Sequence, residues 1–299
     1  MNREGFLTER RVPVDQKIIN LYDQYVHGGI SRRSFMDRLG QLAGGAAAAL
    51  ALLPSLENDY ARAQTVSEND GRLDMVRVTY AAGDLKLSGY MARLKGGQKR
   101  PGVIVIHENR GLNPHIQDVT RRLAVEGFLA LAPDMLSPLG GTPSDENQAI
   151  QMIGGLKAEE TVARLAASVS YLAHHGECTG KVGVVGFCWG GGMANQVAAA
   201  GTSLNAAVAY YGAQIPAAQV PKISAPLLLH YASLDTRIDA GIPDFEAALK
   251  ANNKTYELYM YEGANHAFNN DTNTARYNKE AAELAWNRTL KFLRKYLGA

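Results

Sequence analysis

The strongest chemical signal in the chain is Cys188, which stands in the sequence Gly186-Phe-Cys-Trp-Gly190. An apolar run at 182–185 predicts a buried strand before it, and the small residues at 193–200 predict a helix after it. The pattern is the thiol form of the nucleophile elbow, a sharp strand-to-helix turn. Its glycines avoid steric clashes, and a helix N-terminus stabilises a thiolate. The alternative is a buried structural cysteine in an ordinary turn, because buried thiols are common.

Two later loops supply the partners that such a thiol needs. Asp235 follows the predicted strand 227–231, and His266 follows the predicted strand 256–261. A base that accepts the thiol proton and a carboxylate that orients the imidazole complete a triad. Taken singly, Asp235 could form a turn and His266 could be a surface histidine. The chain order of nucleophile, acid and base is that of the α/β-hydrolase fold.

Apolar strands alternate with helical stretches along most of the chain. A hairpin is expected from period-two alternation at 75–80 and 85–94. Further strands are predicted at 102–107, 128–132, 182–185, 206–211, 227–231 and 256–261, and helices at 115–126, 144–153, 158–174, 193–200, 243–252 and 281–297. This alternation predicts an α/β fold with a doubly wound, largely parallel sheet and helices on both faces.

Composition excludes several functional classes. The chain has 299 residues and a net charge of +2, which gives no indication of nucleic-acid binding. Its two cysteines, Cys178 and Cys188, form no disulfide framework, and zinc-type ligand sets are absent from the sequence. The composition therefore predicts neither a nucleic-acid partner nor a zinc-type metal site.

The first 63 residues differ from the rest, and we divide the chain into an extension at 1–63 and a catalytic domain at 64–299. Arg32 and Arg33 resemble a twin-arginine export signal, followed by an uncharged run at 39–56 and by Ala61-Arg62-Ala63. These features predict export, with cleavage before Gln64 and no permanent membrane span. The alternative is an amphipathic arm packed on the domain or on a partner subunit of a cytoplasmic protein.

The domain resembles the dienelactone hydrolase (carboxymethylenebutenolidase) family from about Val76 onward. The resemblance rests on the motifs at 107–111, 132–134, 186–191, 210–212 and 263–268 together with Asp235. It implies a triad of Cys188, Asp235 and His266, no cofactor, and a Glu108 carboxylate that pairs with the resting thiol. It also implies an oxyanion hole made by the backbone N–H groups of Asn109 and Trp189. We expect Arg110, Tyr211 and Phe268 to contact the substrate.

One departure from the family concerns the substrate. Family members that act on dienelactone carry an arginine shortly after the histidine, whereas this chain has Asn269, Asn270 and Asp271 there. Neutral or acidic side chains cannot form the bidentate clamp that a guanidinium gives to a carboxylate. We expect hydrolysis of a small ester or lactone, with Arg110 or Arg237 as the substitute clamp if carboxylate substrates are accepted. The alternatives are acyl transfer to an acceptor other than water and a non-catalytic binding protein.

Overall fold

The structure is a computed structural model that describes residues 14–62 and 64–298. These residues form two compact units. One comprises the described chain up to Asn58 together with residues 273–275, and the other comprises the described parts of 59–272 and 276–299. The division of the chain at 63/64 stays a prediction, and Ala63 itself lies outside the described residues.

The smaller unit contains three helices, α1 (Gln16–Val26), α2 (Arg32–Ala43) and α3 (Ala46–Leu56). The side chain of Ser31 caps α2, and the ring of Tyr25 stacks on that of Phe35 with centroids 4.8 Å apart. The uncharged run expected at 39–56 is divided between α2 and α3. Gly44 and Gly45 divide it because both adopt a positive φ that terminates a helix.

The twin arginines lie in the first turn of α2 and are exposed. No single helix in the described part of the chain is long and apolar enough to cross a membrane. Helix α2 and the chain from Ala46 to Arg62 meet the length and composition criteria only as a pair, and that pair is bent by 109°. The prediction of export remains a prediction.

The larger unit is built on one sheet of eight strands. In chain order they are β1 (Leu73–Ala82), β2 (Leu85–Leu94), β3 (Arg100–Ile106), β4 (Leu129–Pro133), β5 (Cys178–Phe187), β6 (Ala206–Tyr210), β7 (Leu227–Ala232) and β8 (Tyr256–Tyr261). Their order across the sheet is β1-β2-β4-β3-β5-β6-β7-β8. The hairpin β1–β2 pairs antiparallel, β2 is antiparallel to β4, and the remaining neighbours are parallel. The expected α/β-hydrolase sheet is confirmed.

Helices cover both faces of this sheet, as the alternating sequence predicts. They are α4 (Pro114–Val125), α5 (Glu146–Gly154), α6 (Ala158–Ala173), α7 (Trp189–Ala198), the short α8 (Thr236–Asp239), α9 (Ile242–Ala251) and α10 (Lys279–Leu297). Helices α4 and α10 share one apolar core, and α6, α7 and α9 share the other. Successive residues of β3 alternate between these two cores, because neighbouring side chains on a strand point to opposite faces.

The parallel register brings several strand ends to the same edge of the sheet. Ile106 of β3 lies beside Gly186 of β5, and Phe187 of β5 lies beside Tyr210 of β6. The loops that follow β3, β5 and β6 therefore meet at one edge. Loops at the carboxyl ends of strands are the usual place for a site in an open α/β sheet.

Candidate active site

Cys188 occupies the elbow between β5 and α7 and is only 7% exposed. Its φ of 55° is rare for a residue other than glycine, and such strain is concentrated at functional sites. A Cβ on Gly186 would lie 1.9 Å from the carbonyl oxygen of Gly190. A Cβ on Gly190 would lie 2.4 Å from the oxygen of Ile106. Only glycines at these positions let the turn close this tightly.

Asp235 and His266 form a buried pair. Nδ1 of His266 lies 2.5 Å from Oδ2 of Asp235, and the two side chains are 4% and 2% exposed respectively. The sulfur of Cys188 and a ring nitrogen of His266 lie within 4.8 Å of each other. Three loops after three different strands thus bring together the thiol, the imidazole and the carboxylate. A thiol, an imidazole and a carboxylate are the three groups that nucleophilic catalysis by a triad requires.

Glu108 lies in the loop after β3 and is buried, with 1% of its surface exposed. The side-chain amide of Asn270 donates a hydrogen bond of 3.0 Å to Oε2 of Glu108. A buried carboxylate needs such donors because burial without them is costly. Asn270 is the fourth residue after His266, so Glu108 and the histidine loop are directly connected.

His107 fixes the loop that carries Glu108 and Asn109. Because the backbone N–H of Met135 donates to its Nε2, its Nδ1 carries the proton and donates to the carbonyl oxygen of Glu108. Burial lowers the pKa of His107, which keeps this ring neutral. The ring also stacks on Trp189, with centroids 5.3 Å apart. Since Trp189 opens α7, its N–H lies in the first helical turn, where N–H groups have no acceptor within the helix.

Tyr211 and Phe268 lie beside the triad. Both are fully buried, and the Tyr211 ring lies 5.0 Å from the His266 ring and 5.4 Å from the Phe268 ring. The Tyr211 hydroxyl has no hydrogen-bond partner among the described residues. Burial raises its pKa well above the ordinary value, and the charges of Glu108 and Cys188 raise it further. Tyr211 is therefore a neutral phenol whose pKa depends on the charges of Glu108 and Cys188.

Backbone strain is concentrated at the same edge of the sheet. Four described residues other than glycine have a positive φ, namely Cys188, Tyr211, Asn253 and Ala267. Three of the four lie in the loops that carry the nucleophile, the phenol and the histidine. Such strain persists only where the surrounding packing enforces it, which favours a functional reason for it.

The two arginines proposed as substitute clamps lie in different environments. Nε of Arg110 bonds to a carboxylate oxygen of Glu146 at 2.9 Å, and the Arg110 side chain is buried. Arg237 is exposed in the first turns after Asp235. The role of Arg110 in substrate binding stays a prediction, although part of its guanidinium is occupied by Glu146.

Two charged residues that sequence reasoning missed act on the site. Arg276 is only 3% exposed, and its charge offsets a small part of the rise in the pKa of Tyr211 that burial and the neighbouring charges cause. Asp239 lies one helical turn after Asp235, and burial together with the Asp235 charge raises its pKa to about 6. Neither residue stands in a recognisable motif. Arg276 is ten residues beyond His266, and only the fold brings it near Tyr211.

Most of the larger unit is similar in sequence to known proteins. The dienelactone hydrolase family model matches residues 87–297, a range that contains every residue of the site. A Saccharolobus solfataricus protein named "Putative carboxymethylenebutenolidase" is 36% identical over 231 residues, covering 64% of this chain and 88% of its own length. A Bradyrhizobium protein named "Probable 2-oxo-3-(5-oxofuran-2-ylidene)propanoate lactonase" is 33% identical over 222 residues, covering 70% and 89%.

Solved structures give the same result. A crystal structure titled as a "Putative Dienelactone Hydrolase" from Klebsiella pneumoniae superimposes with a TM-score of 0.69 and 30% identity. The match covers 75% of this chain and 99% of that one. The chain belongs to the dienelactone hydrolase family.

As a dienelactone hydrolase family member, the chain is a hydrolase of the α/β class. The family match begins after the three helices α1 to α3. A separate model, described as YqhI-like, matches residues 8–44, of which 8–13 lie outside the described residues. The twin arginines stand within this second match and outside the hydrolase match.

Proposed function

We propose that this chain hydrolyses a small ester or lactone through a thioester on Cys188. The observation that carries the proposal is the buried cluster in which the Cys188 sulfur lies within 4.8 Å of a His266 ring nitrogen. The other support is the bond between Nδ1 of His266 and Asp235. The family membership agrees with ester or lactone hydrolysis, because the relatives carry the names of lactone-cleaving enzymes.

In the proposed first step, His266 accepts the Cys188 proton and the thiolate attacks the substrate carbonyl carbon. Asp235 holds the imidazole in one tautomer and stabilises its protonated form. The resulting oxyanion accepts hydrogen bonds from the backbone N–H groups of Asn109 and Trp189. The carbon–oxygen bond then breaks, His266 returns the proton to the leaving oxygen, and a thioester remains.

In the second step, His266 removes a proton from water, which attacks the thioester carbonyl. Collapse of the second tetrahedral intermediate releases the carboxylic acid product and regenerates the Cys188 thiol. In the resting enzyme, Glu108 pairs with this thiol and takes part in its activation when the substrate binds. Support for this role comes from the burial of Glu108 and from the influence of both groups on Tyr211.

The preference among substrates remains a prediction. Neutral esters and lactones are expected to have kcat/KM values at least about tenfold higher than dienelactone, since Asn270 supplies no positive charge. Arg276 is the residue whose positive charge could make dienelactone the preferred substrate, because that charge acts on Tyr211 beside the triad. This residue is a better candidate for a carboxylate ligand than the exposed Arg237.

The proposal is tested by screening short-chain aryl esters and small lactones with the wild type, Cys188→Ala and Cys178→Ala. Removing the nucleophile of a triad costs many orders of magnitude, so Cys188→Ala should lose hydrolysis while keeping its fold. Cys178 is also buried but lies at the start of β5, which makes it a matched control. Full activity in Cys188→Ala, or equal losses in the two variants, would refute the assignment of the nucleophile.

The N-terminal extension at 1–63 is proposed to be separable from catalysis and to direct export. Arg32 and Arg33 support the export role, and the two separate family matches at 8–44 and 87–297 support the separability of the extension from the catalytic domain. Mass spectrometry of the protein from its native cell envelope should find an N-terminus near Gln64. An intact Met1 on cytosolic protein would favour the alternative of a packed arm.

A further inference from the structure

Asn270 links the carboxylate of Glu108 to the loop that carries His266. It is fully buried, its Nδ2 donates to Oε2 of Glu108 at 3.0 Å, and its backbone N–H donates to the carbonyl of Ala267. Its Oδ1 accepts two hydrogen bonds from Thr272, one from the backbone N–H at 3.1 Å and one from the hydroxyl at 2.6 Å. Each polar atom of the amide therefore has a partner of the opposite kind.

These partners fix the orientation of the amide. A backbone N–H can only donate, so the atom that faces the N–H of Thr272 is the amide oxygen. An ionised carboxylate can only accept, so the atom that faces Glu108 is the amide nitrogen. Rotating the amide by 180° would place an oxygen against Glu108 and an NH2 group against the N–H of Thr272. Both contacts would then be repulsive.

The loop around Asn270 is anchored on its other side by Asp271. Its carboxylate contacts the Arg122 guanidinium at 2.5 Å and Nδ1 of His115 at 3.3 Å. Burial alone would raise the pKa of Asp271, but the contact with His115 and the charge of Arg122 outweigh it and hold the pKa at about 2. Asp271 thus stays ionised at ordinary pH, and its neighbour Asn270 is kept opposite Glu108.

We infer that Asn270 is a positioning residue that holds the Glu108 carboxylate at the thiol with a neutral donor whose orientation Thr272 fixes. The inference rests on the proposed function, because it gives Glu108 its role in activating Cys188. A neutral amide orients the carboxylate without cancelling its charge, whereas a guanidinium in the same place would compensate that charge. The hydrogen bond from Asn270 thereby fixes the position of the Glu108 carboxylate without adding a positive charge beside it.

The isosteric variant Asn270→Asp tests the inference by pH. Two carboxylates about 3 Å apart cannot both ionise easily, so the pair holds one proton at low pH and keeps the hydrogen bond. As pH rises and that proton is lost, repulsion moves Glu108 from its place. Relative to wild type at the same pH, we expect kcat of Asn270→Asp to be at least about tenfold lower at pH 8, with KM changing less, and this ratio should recover partly toward pH 6.

A second readout is the rate at which iodoacetamide alkylates Cys188, mapped by peptide mass spectrometry. In the wild type this rate rises with pH as the thiol ionises, because the thiolate is the nucleophile. In Asn270→Asp the rise should be flattened or reversed above neutral pH. Asn195→Asp is the matched control, since Asn195 is a buried amide that donates to the carbonyl of Ala213. Its pH profiles should keep the wild-type shape.

Variants of Thr272 decide the question if Asn270→Asp fails to fold. Thr272→Val removes the hydroxyl donor to Oδ1 and should lower kcat by about threefold or more, whereas Thr272→Ser keeps the hydroxyl and should restore it. Wild-type pH profiles in a folded Asn270→Asp, or equal kcat values in Thr272→Val and Thr272→Ser, would overturn the inference. A Cys188→Ala variant with normal hydrolysis would instead overturn the proposed function.

Discussion

Two buried histidines, His230 on β7 and His266 in the loop after β8, have different functions. Nδ1 of His230 bonds to the Tyr261 hydroxyl at 2.9 Å, and its Nε2 bonds to the Thr289 hydroxyl at 3.1 Å. His266 instead has its Nδ1 on the carboxylate of Asp235 and a ring nitrogen within 4.8 Å of Cys188. A histidine between two neutral hydroxyls stabilises packing, whereas one between a carboxylate and a thiol can move a proton.

The surroundings of His230 force it to stay neutral. The Tyr261 oxygen accepts a hydrogen bond from Arg288, and the Tyr261 hydroxyl shares a second hydrogen bond with Nδ1 of His230. Burial first, and then the charge of Arg288, lower the pKa of His230 to about 3. His266 differs because Asp235 favours its charged form. The two residues therefore provide an internal comparison between a structural and a catalytic histidine.

The largest expected effect is a loss of activity when His266, but not His230, is replaced. His266→Ala should lower kcat at least about a thousandfold, because it removes the base that activates the thiol. The variant should remain folded, because the Asp235 carboxylate still accepts a hydrogen bond from the backbone N–H of Ile238. The measurement is steady-state hydrolysis of an aryl ester beside urea denaturation. Retention of a tenth or more of the activity would remove His266 from the mechanism.

The reverse pattern is expected for His230. His230→Leu leaves the hydroxyls of Thr289 and Tyr261 without this partner, so at pH 8 it should lower the free energy of unfolding by about 2–4 kcal/mol. Activity per folded molecule should change little. A fall in kcat as large as that of His266→Ala would break the distinction between the two residues.

The difference in free energy of unfolding between wild type and His230→Leu should also depend on pH in a defined direction. The folded pKa of His230, about 3, is below the ordinary value of about 6.5, so the unfolded chain binds the proton more tightly. Neutral His230 makes its whole contribution to the free energy of unfolding above about pH 6.5, and this contribution is lost as the pH falls toward 3. The difference between wild type and His230→Leu should therefore narrow by about 1–2 kcal/mol between pH 7 and pH 5. A constant difference in denaturant titrations would contradict this account.

The smallest expected effect concerns Asp239. Its carboxyl ionises as pH rises through about 6, and the resulting negative charge favours the protonated form of His266. Asp239→Asn removes this charge. In a plot of kcat against pH, the fall in activity at low pH, where His266 becomes protonated, should therefore move to lower pH by less than about one unit. Asp244→Asn, on the exposed side of α9, is the control and should leave this fall in place.

Much of this fold could be predicted from the sequence because its strands are short apolar runs separated by helices with caps. The strand β8 begins and ends where the sequence predicts, and α6 is displaced by one residue at its end. The single turn α8 was not predicted, since four residues give too little periodicity. The helices at 32–43 and 46–56 were not predicted, because a pair of arginines followed by an uncharged Ala/Leu run is typical of an export signal as well as of helices.

The candidate site was partly predictable for a related reason. Cys188, Asp235 and His266 stand in motifs or directly after strands, so local sequence is enough to select them. The contact between Asn270 and Glu108 joins residues 162 positions apart, and no local pattern encodes it. The same holds for the influence of Arg276 on Tyr211 and of Asp239 on the triad, because both depend on burial in the folded chain.

The most direct test of the account is to identify the residue that carries the acyl group. The wild type is mixed with an activated aryl ester, quenched in acid within the first turnover, digested and analysed by mass spectrometry. The account predicts that the peptide containing Cys188 gains the mass of the acyl group and that hydroxylamine removes it, as expected of a thioester. Acylation of any other residue, or wild-type turnover after complete alkylation of Cys188, would contradict it.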